Sequence, residues 1–238
     1  MRWLSFIFNK KTGGEPIKAT LEDYREFRAQ SRRINIQLIK QLPKPALPEC
    51  AKKLGLTKAG TIIINQDDEF ALAYDFCIHH FRRAGKNVLQ KAQEDISQWP
   101  EDDRPYLSAL DKSYFSVFRI LDILPNKGAV LENLISQSII EIFDTGLSAT
   151  AEVGAIIIGR ILEAQNFLCS SGILIPITEQ IYAEKIAPII AKFYGNHNQS
   201  SQFQLSTAQE ASLESQIIRT SLQTIGDDVC FYNDLDPA

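Results

Sequence analysis

The stretch DFCIHHFRRAGKN, residues 75–87, puts a cysteine, two adjacent histidines, two arginines and a lysine within thirteen residues. Three chemistries fit such a set. A metal centre needs several nitrogen or sulfur ligands converging on one ion. A Cys–His nucleophile needs a thiolate beside a base. A docking surface needs only cations that face one way. A helix turns about 100° per residue, so His79 and His80 diverge and cannot both hold one ion from the same helix. Cys77 and His80 are three apart and can meet. Yet Cys77 also lies on an apolar row with Phe70, Ala73 and Phe81, where a cysteine behaves as a small hydrophobe. The expected arrangement is a helix with Cys77 inside and His80 at its margin. His79, Arg82, Arg83 and Lys86 should be wholly or partly solvated, and this basic flank is a better functional candidate than the Cys–His pair.

The remaining chemistry is sparse. The sequence contains no G-x-S-x-G elbow, phosphate-binding loop, HExxH or G-x-G-x-x-G. Cys50, Cys77, Cys169 and Cys230 are scattered without a C-x-x-C pair, which argues against a zinc ribbon or a thioredoxin-type motif. Carboxylate pairs such as Asp67-Asp68 suit helix starts, and His197 stands in a polar stretch without a local partner. The expectation is therefore no catalytic residue, no metal and no cofactor.

A second basic feature lies upstream. Nine lysines and arginines between Arg25 and Lys58 face only two glutamates there, whereas the whole chain has a net charge of −4. One segment is thus basic in an otherwise acidic protein. Arg25, Arg28 and Arg32 share one face of a helix. If that helix packs beside the residue 75–87 helix, Arg82, Arg83 and Lys86 extend the same surface.

The elements that would position these groups follow from spacing. Thr20 and Asp23 form a capping signal. The helix behind them runs to about Gln41, where Pro43, Pro45 and Pro48 stop it. Glu49 to Leu54 reads as a short helix ended by Gly55, and Thr61–Ile64 as a short buried strand. A helix starts at Asp67-Asp68-Glu69 and bends or ends at Gly85, with a second one running to about Ile96. The loop QWPEDDRP is a plausible boundary. From residue 113 the pattern changes. SYFSVFRILDIL, AVLENL, SIIEIFD, GAIIIGRIL and FLCSSGILI are five short strands in about 65 residues, the mark of a small barrel or sandwich. Helices return at Glu179–Tyr194, kinked at Pro188, and from Ser206 or Thr207 to Ile225. The acidic tail from Gly226 reads as mobile.

AKKLGL with Gly60-Thr61 after it, DDEFALAYDFCIHHFRRAGKNVLQK, and the unit from SYFSVFRILDILPNKGAVLENLIS to SSGILIPI together resemble a group of uncharacterised bacterial proteins. The resemblance spans residues 50 to 177 and implies a domain layout, with no activity attached. Many members of that group end in a Cys-rich tail like the zinc-binding tail of the bacterial secretion motor. This chain has the lone Cys230 there and no C-x-C or Cys-His pair. No metal or secretion-linked role is carried over.

The expected class is α+β: a helical N-terminal part with a short strand (1–100), a five- or six-stranded antiparallel small β-barrel (110–178), C-terminal helices (179–226) and an acidic tail (227–238). The expected location is cytoplasmic, since no apolar run approaches the roughly 18 residues of a membrane span, and Trp3–Phe8 is too short for a signal-peptide core and is followed by no small-residue cleavage site. The leading functional expectation is a non-enzymatic binding or scaffold protein, with a protein partner or a second copy. Its contact surface would be Arg25, Arg28, Arg32, Arg82, Arg83 and Lys86. RNA or DNA binding through that surface is the alternative, and a Cys77/His80-dependent enzyme the second alternative.

Overall fold

The computed structural model describes residues 19–64, 66–195, 204–225 and 232–233. Its first helix, α1 (Leu21–Gln41), starts at the expected capping box. The Thr20 hydroxyl accepts from the Asp23 amide, and the Asp23 carboxylate accepts from the Thr20 amide. Helix α2 (Ala46–Leu54) ends at Gly55, whose φ of 79° is left-handed. Strands β1 (Thr57–Lys58) and β2 (Thr61–Ile62) form a two-residue hairpin. It is a surface feature, which corrects the expectation of a buried strand: Thr61 and Ile63 are exposed. Helix α3 (Asp67–His80) stops at Phe81, before Gly85, and α4 (Val88–Glu94) follows behind an Asn87 cap.

The QWPEDDRP stretch is more ordered than a loop. It makes two 3-10 turns and leads into α5 (Arg104–Asp111), which sequence reasoning missed. Asp103 is buried there and ion-pairs with Arg33 of α1, Arg33 Nη1 donating to Oδ2 at 2.7 Å.

The five expected strands are all present: β3 (Tyr114–Leu124), β4 (Gly128–Asn133), β5 (Ile139–Phe143), β6 (Ile156–Glu163) and β7 (Leu168–Ile177). A short helix, α6 (Thr145–Thr150), joins β5 to β6. The sheet order is β5-β4-β3-β6-β7, and β7 meets β5 in parallel at Ile142 and Leu168, which closes the barrel. The barrel is therefore mixed, not antiparallel throughout. The two strands that close it are separated by a long connection through α6 and β6, so a hairpin cannot set their direction. Residues 232–233 form β8, antiparallel to β7 with Asn233 opposite Ile173 and Tyr232 opposite Leu174. Those two residues of the expected mobile tail are a strand.

Phe118, Ile120, Ala129, Leu131, Ile142, Ile157, Ile161 and Leu174 fill the barrel. Their alternation along each strand is the period of two that the pattern required. Gly128 is needed where β4 pairs with β5, because a Cβ there would overlap the Ile142 carbonyl oxygen. The outer face is covered by helices. Val117, Ile156, Ile158 and Ile175 pack under α2, α3 and the C-terminal helices. These are α7 (Glu179–Ile181), a π-helical stretch at Tyr182–Ile186, α8 (Ala187–Tyr194) and α9 (Thr207–Ile225). Helices α1, α4 and α5 share a second core with Phe143, Leu162, Phe167 and Cys169. Strand β6 is thus buried on both faces, as its near-continuous apolar run implies. Among the described residues, no helix is long and apolar enough to cross a membrane.

Candidate functional site

The six basic residues singled out by spacing fall into two groups. Arg25 and Arg28 belong to the N-terminal half of α1, and Arg32 stands at its middle. Arg83 and Lys86 lie beside Gln41, Leu42 and Pro43, at the other end of that helix. Thirteen residues separate Arg28 from Gln41, or about 20 Å at 1.5 Å per residue. Lys86 ion-pairs with Glu94, and Arg82 donates to Gln90 at 2.6 Å. Arg25, Arg32 and Arg83 are exposed, whereas Arg28 is buried. Its Nη1 donates to the Ser170 carbonyl at 2.9 Å, and its guanidinium lies 5.5 Å from the Tyr24 ring centroid. Arg28 is therefore an internal cation, not part of a solvated stripe.

His79 corrects the expectation too, because it is buried at 8% exposure. The reason lies on β6. Arg160 interrupts the apolar run IIIGRIL and points outward into the helical layer with its side chain 5% exposed. A buried guanidinium demands partners, and two carboxylates supply them. Arg160 Nε donates to Asp75 Oδ2 at 3.0 Å, and Nη2 donates to Glu214 Oε1 at 2.7 Å. The other Glu214 oxygen is 2.8 Å from His80 Nε2. One chain of contacts, Asp75–Arg160–Glu214–His80, thereby fastens α3 and α9 to β6. Arg160 occupies the point where the carboxylates and histidines would otherwise meet. Among the described residues, no three His, Cys, Asp or Glu side chains converge as a metal site would require.

The titration of these groups follows from burial and charge. Burial pushes the Asp75 carboxyl up, with Arg160 pulling the other way. Burial also opposes ionisation of Glu214, but Arg160 and His80 outweigh it and hold that carboxyl below its ordinary range. His79 is held neutral, its pKa well below that of a free imidazole, first by burial and then by the nearby Arg160 and His80. Among the described residues, neither His79 Nε2 nor His80 Nδ1 has a hydrogen-bond partner.

Asp75 is the member of this chain that reaches solvent, at 18% side-chain exposure. It opens into a groove of about 360 Å³ between α1, α3 and β7. Arg28, Ser31, Arg32 and Asn35 line the α1 wall, and Tyr74 and Asp75 the α3 wall. Ser171, Gly172 and Ile173 of β7 complete it. The β7 segment is bulged: Gly159 pairs Leu174 and Ile161 pairs Ser170, so three residues of β7 stand opposite Arg160 alone. Gly172 sits in the bulge at φ 108°, and a Cβ there would come within 3.2 Å of Arg28 Nη2. The bulge thus makes room for the Arg28 guanidinium at one edge of the groove, with the Arg160 network behind the opposite wall. Ile36 of α1 and Phe70 of α3, on the two helices that form the walls, are exposed. Phe70 had been expected on the apolar row of α3. The buried residues of that helix centre on Leu72, Ala73, Phe76 and Cys77 instead.

The Cys77–His80 pair is not assembled as a dyad. The Cys77 thiol is buried 3.6 Å from the Ala46 carbonyl and hydrogen-bonded with the free Cys50 thiol, while His80 turns to Glu214. The hydrogen bond with Cys50 and burial both push the Cys77 pKa up, which is the wrong direction for a nucleophile. His197 and Cys230 lie outside the described residues, as does the N-terminal apolar stretch.

The sequence signal for the groove lay in residues passed over earlier. Arg160 is a lone charge inside an apolar strand, and Glu214 sits on the same helical stripe as Leu213, Ile217 and Ile218. Each is an anomaly that implies a buried partner. A family model described as "Family of unknown function (DUF7986)" matches residues 18–207, and the chain belongs to that family. No curated protein and no solved structure matches the chain.

Proposed function

We propose that this member of the DUF7986 family is a non-enzymatic binding protein that takes an extended segment of a protein partner in the groove between α1, α3 and β7. The observation that carries this reading is the pairing of β8 with β7 at Ile173 and Leu174, immediately beside the groove-lining Ser171 and Gly172. The edge of β7 accepts a strand there, and strand addition is a general mode of peptide recognition. The groove offers side-chain selectivity: guanidinium groups on one wall, a carboxylate and a phenol on the other, and the exposed apolar Ile36 and Phe70 on the flanking helices.

Nucleic-acid binding draws less support. The two basic groups lie apart along α1, Lys86 is already paired, and the groove presents Asp75 to any phosphate. A Cys77-dependent enzyme draws less still, given the buried, hydrogen-bonded thiol.

The test is site-specific photocrosslinking in the native host. A benzophenone amino acid replaces Ile36 or Phe70, with the exposed Ile139 of β5 as control. The reading expects a discrete protein adduct from the first two positions and none from the third. Adducts to RNA, or equal adducts at all three positions, would count against it.

A further inference from the structure

We propose that the partner segment seats a lysine side chain on Asp75, with its ammonium held between Asp75 Oδ1 and His79 Nε2. The inference rests on the reading of the groove as a peptide site and names the residue that the site selects. Position is the first argument. Ala71, Tyr74, Asp75 and Ile78 line the α3 wall of the groove. They stand at i, i+3, i+4 and i+7, one face of a helix, and His79 continues that face one turn beyond Asp75. The two Asp75 oxygens differ. Oδ2 accepts from Arg160 Nε at 3.0 Å. Among the described residues Oδ1 accepts no hydrogen bond, and His79 Nε2 stands 3.8 Å from it, too far for one. His79 Nε2 is itself buried without a partner. In a neutral imidazole protonated at Nδ1 it is an acceptor. One donor group with several N–H bonds can serve both atoms.

Charge is the second argument. Arg160 is a single guanidinium between two carboxylates, Asp75 and Glu214. Glu214 also has His80, at 2.8 Å, and is held below its ordinary range. His79 is neutral and gives Asp75 no countercharge. Asp75 is therefore the less compensated of the two, in line with the upward push of burial on its carboxyl. It is also the one that meets the groove. A cation arriving there supplies what Arg160 shares out. The arginines of the opposite wall, Arg28 and Arg32, turn that cation toward α3.

Geometry separates lysine from arginine. A guanidinium is best matched by both oxygens of a carboxylate, and Arg160 already holds one of them. A compact ammonium needs one oxygen and has further N–H bonds for His79 Nε2. Its four-carbon stem has Tyr74 and Ile78 beside Asp75 to pack on.

The experiment selects displayed random octapeptides on the full-length protein and on two full-length variants. Asp75→Asn keeps an acceptor for Arg160 and loses the charge. Ala71→Trp, at an exposed position of the α3 wall, fills the groove. The best peptide is resynthesised with arginine or norleucine for its lysine, and its affinity for the natural chain is read by fluorescence anisotropy. The proposal expects peptides that bind the natural chain but not Ala71→Trp to carry a lysine at one fixed position. Norleucine there should weaken binding at least about tenfold, the equivalent of one charge-assisted contact, and arginine should also weaken it. The same norleucine peptide should lose nothing against Asp75→Asn. The norleucine and arginine comparisons on the natural chain do not depend on how well a variant folds. Groove-dependent peptides that lack the lysine, or that tolerate norleucine on the natural chain, would overturn the lysine seat and leave the groove as a peptide site. So would displacement of the peptide by an equal concentration of n-butylamine, which carries the same ammonium without a segment. Failure to select any groove-dependent peptide would overturn both readings.

Discussion

Replacing Arg160 with methionine tests the arrangement at its centre. The guanidinium is 5% exposed and bonded to Asp75 and Glu214, and the Glu214 side chain is equally buried. Removing one partner of a buried ion pair leaves an uncompensated charge, at a cost of about 3–5 kcal/mol. Two features of this site put the expectation at the lower end. Glu214 keeps its 2.8 Å contact with His80, and Asp75 retains access to water through the groove. The expected loss is therefore about 3 kcal/mol, read as a lower midpoint in urea denaturation at an unchanged slope. Adding Glu214→Gln to Arg160→Met removes the stranded charge and leaves the side-chain oxygen to face His80. The double variant should recover about 1–2 kcal/mol of the loss, roughly the desolvation cost of a buried, poorly paired polar group. A single variant that loses less than about 1 kcal/mol, or a double variant no more stable than the single one, would show that Arg160 does not hold α3 and α9 to β6 in this way.

Three further outcomes are expected. His79 has a folded-state pKa well below its unfolded value of about 6.5. The unfolded chain therefore takes up a proton that the folded chain refuses. Stability is complete above that pH and falls below it, by up to about 1.4 kcal/mol per pH unit. Asp75, raised in the fold, acts in the opposite sense, so His79 is isolated by comparing the slope of urea midpoints between pH 7 and pH 5 in the natural chain with that in a variant. A His79→Gln variant should flatten that slope, and an unchanged slope would refute the assignment. Gly128→Ala should lose about 3 kcal/mol or fail to fold, because its Cβ would press against the Ile142 carbonyl where β4 pairs with β5; a variant with the natural melting temperature would contradict that close approach. Cys77, a buried free thiol hydrogen-bonded with Cys50, should resist a thiol reagent until denaturant is added. Rapid native modification of Cys77, mapped by peptide mass, would revive the cysteine-enzyme reading.

Most of the barrel was legible because a strand's period of two is a local property. Tyr114, Phe118 and Ile120 face inward in β3, and Val117 faces out, as alternation demands. The capping box at Thr20 and the stop at Gly55 were legible for the same reason. The groove was not, since it depends on which elements pack together. Arg28 looks like any other arginine on the polar side of α1 until β7 bulges at Gly172 to admit it. His79 looks solvated until β6 places Arg160 above it. The parallel contact of β5 with β7 was also beyond local pattern, because it joins segments separated by a whole strand and a helix. What the sequence did contain, unread, was inconsistency: a charge in the middle of GAIIIGRIL and another in the apolar stripe of α9. Reading such violations as requests for a partner would have led to Asp75, the nearest unclaimed carboxylate in DFCIHH.

The Arg160 network also bears on why the groove has its form. An apolar cluster of the same volume would serve stability as well or better than a buried arginine with two carboxylates. It would not hold a carboxylate at a fixed position on the groove wall. Asp75 is kept there by Arg160 Nε and faces the α1 arginines across the groove, so the site has a cationic side and an anionic side. An acidic segment entering it can lie only against α1, with its acids turned away from Asp75. Toward such a segment, the buried network discriminates rather than attracts. An Asp75→Asn variant should accept acidic peptides more tightly and with less regard for which face carries the acids.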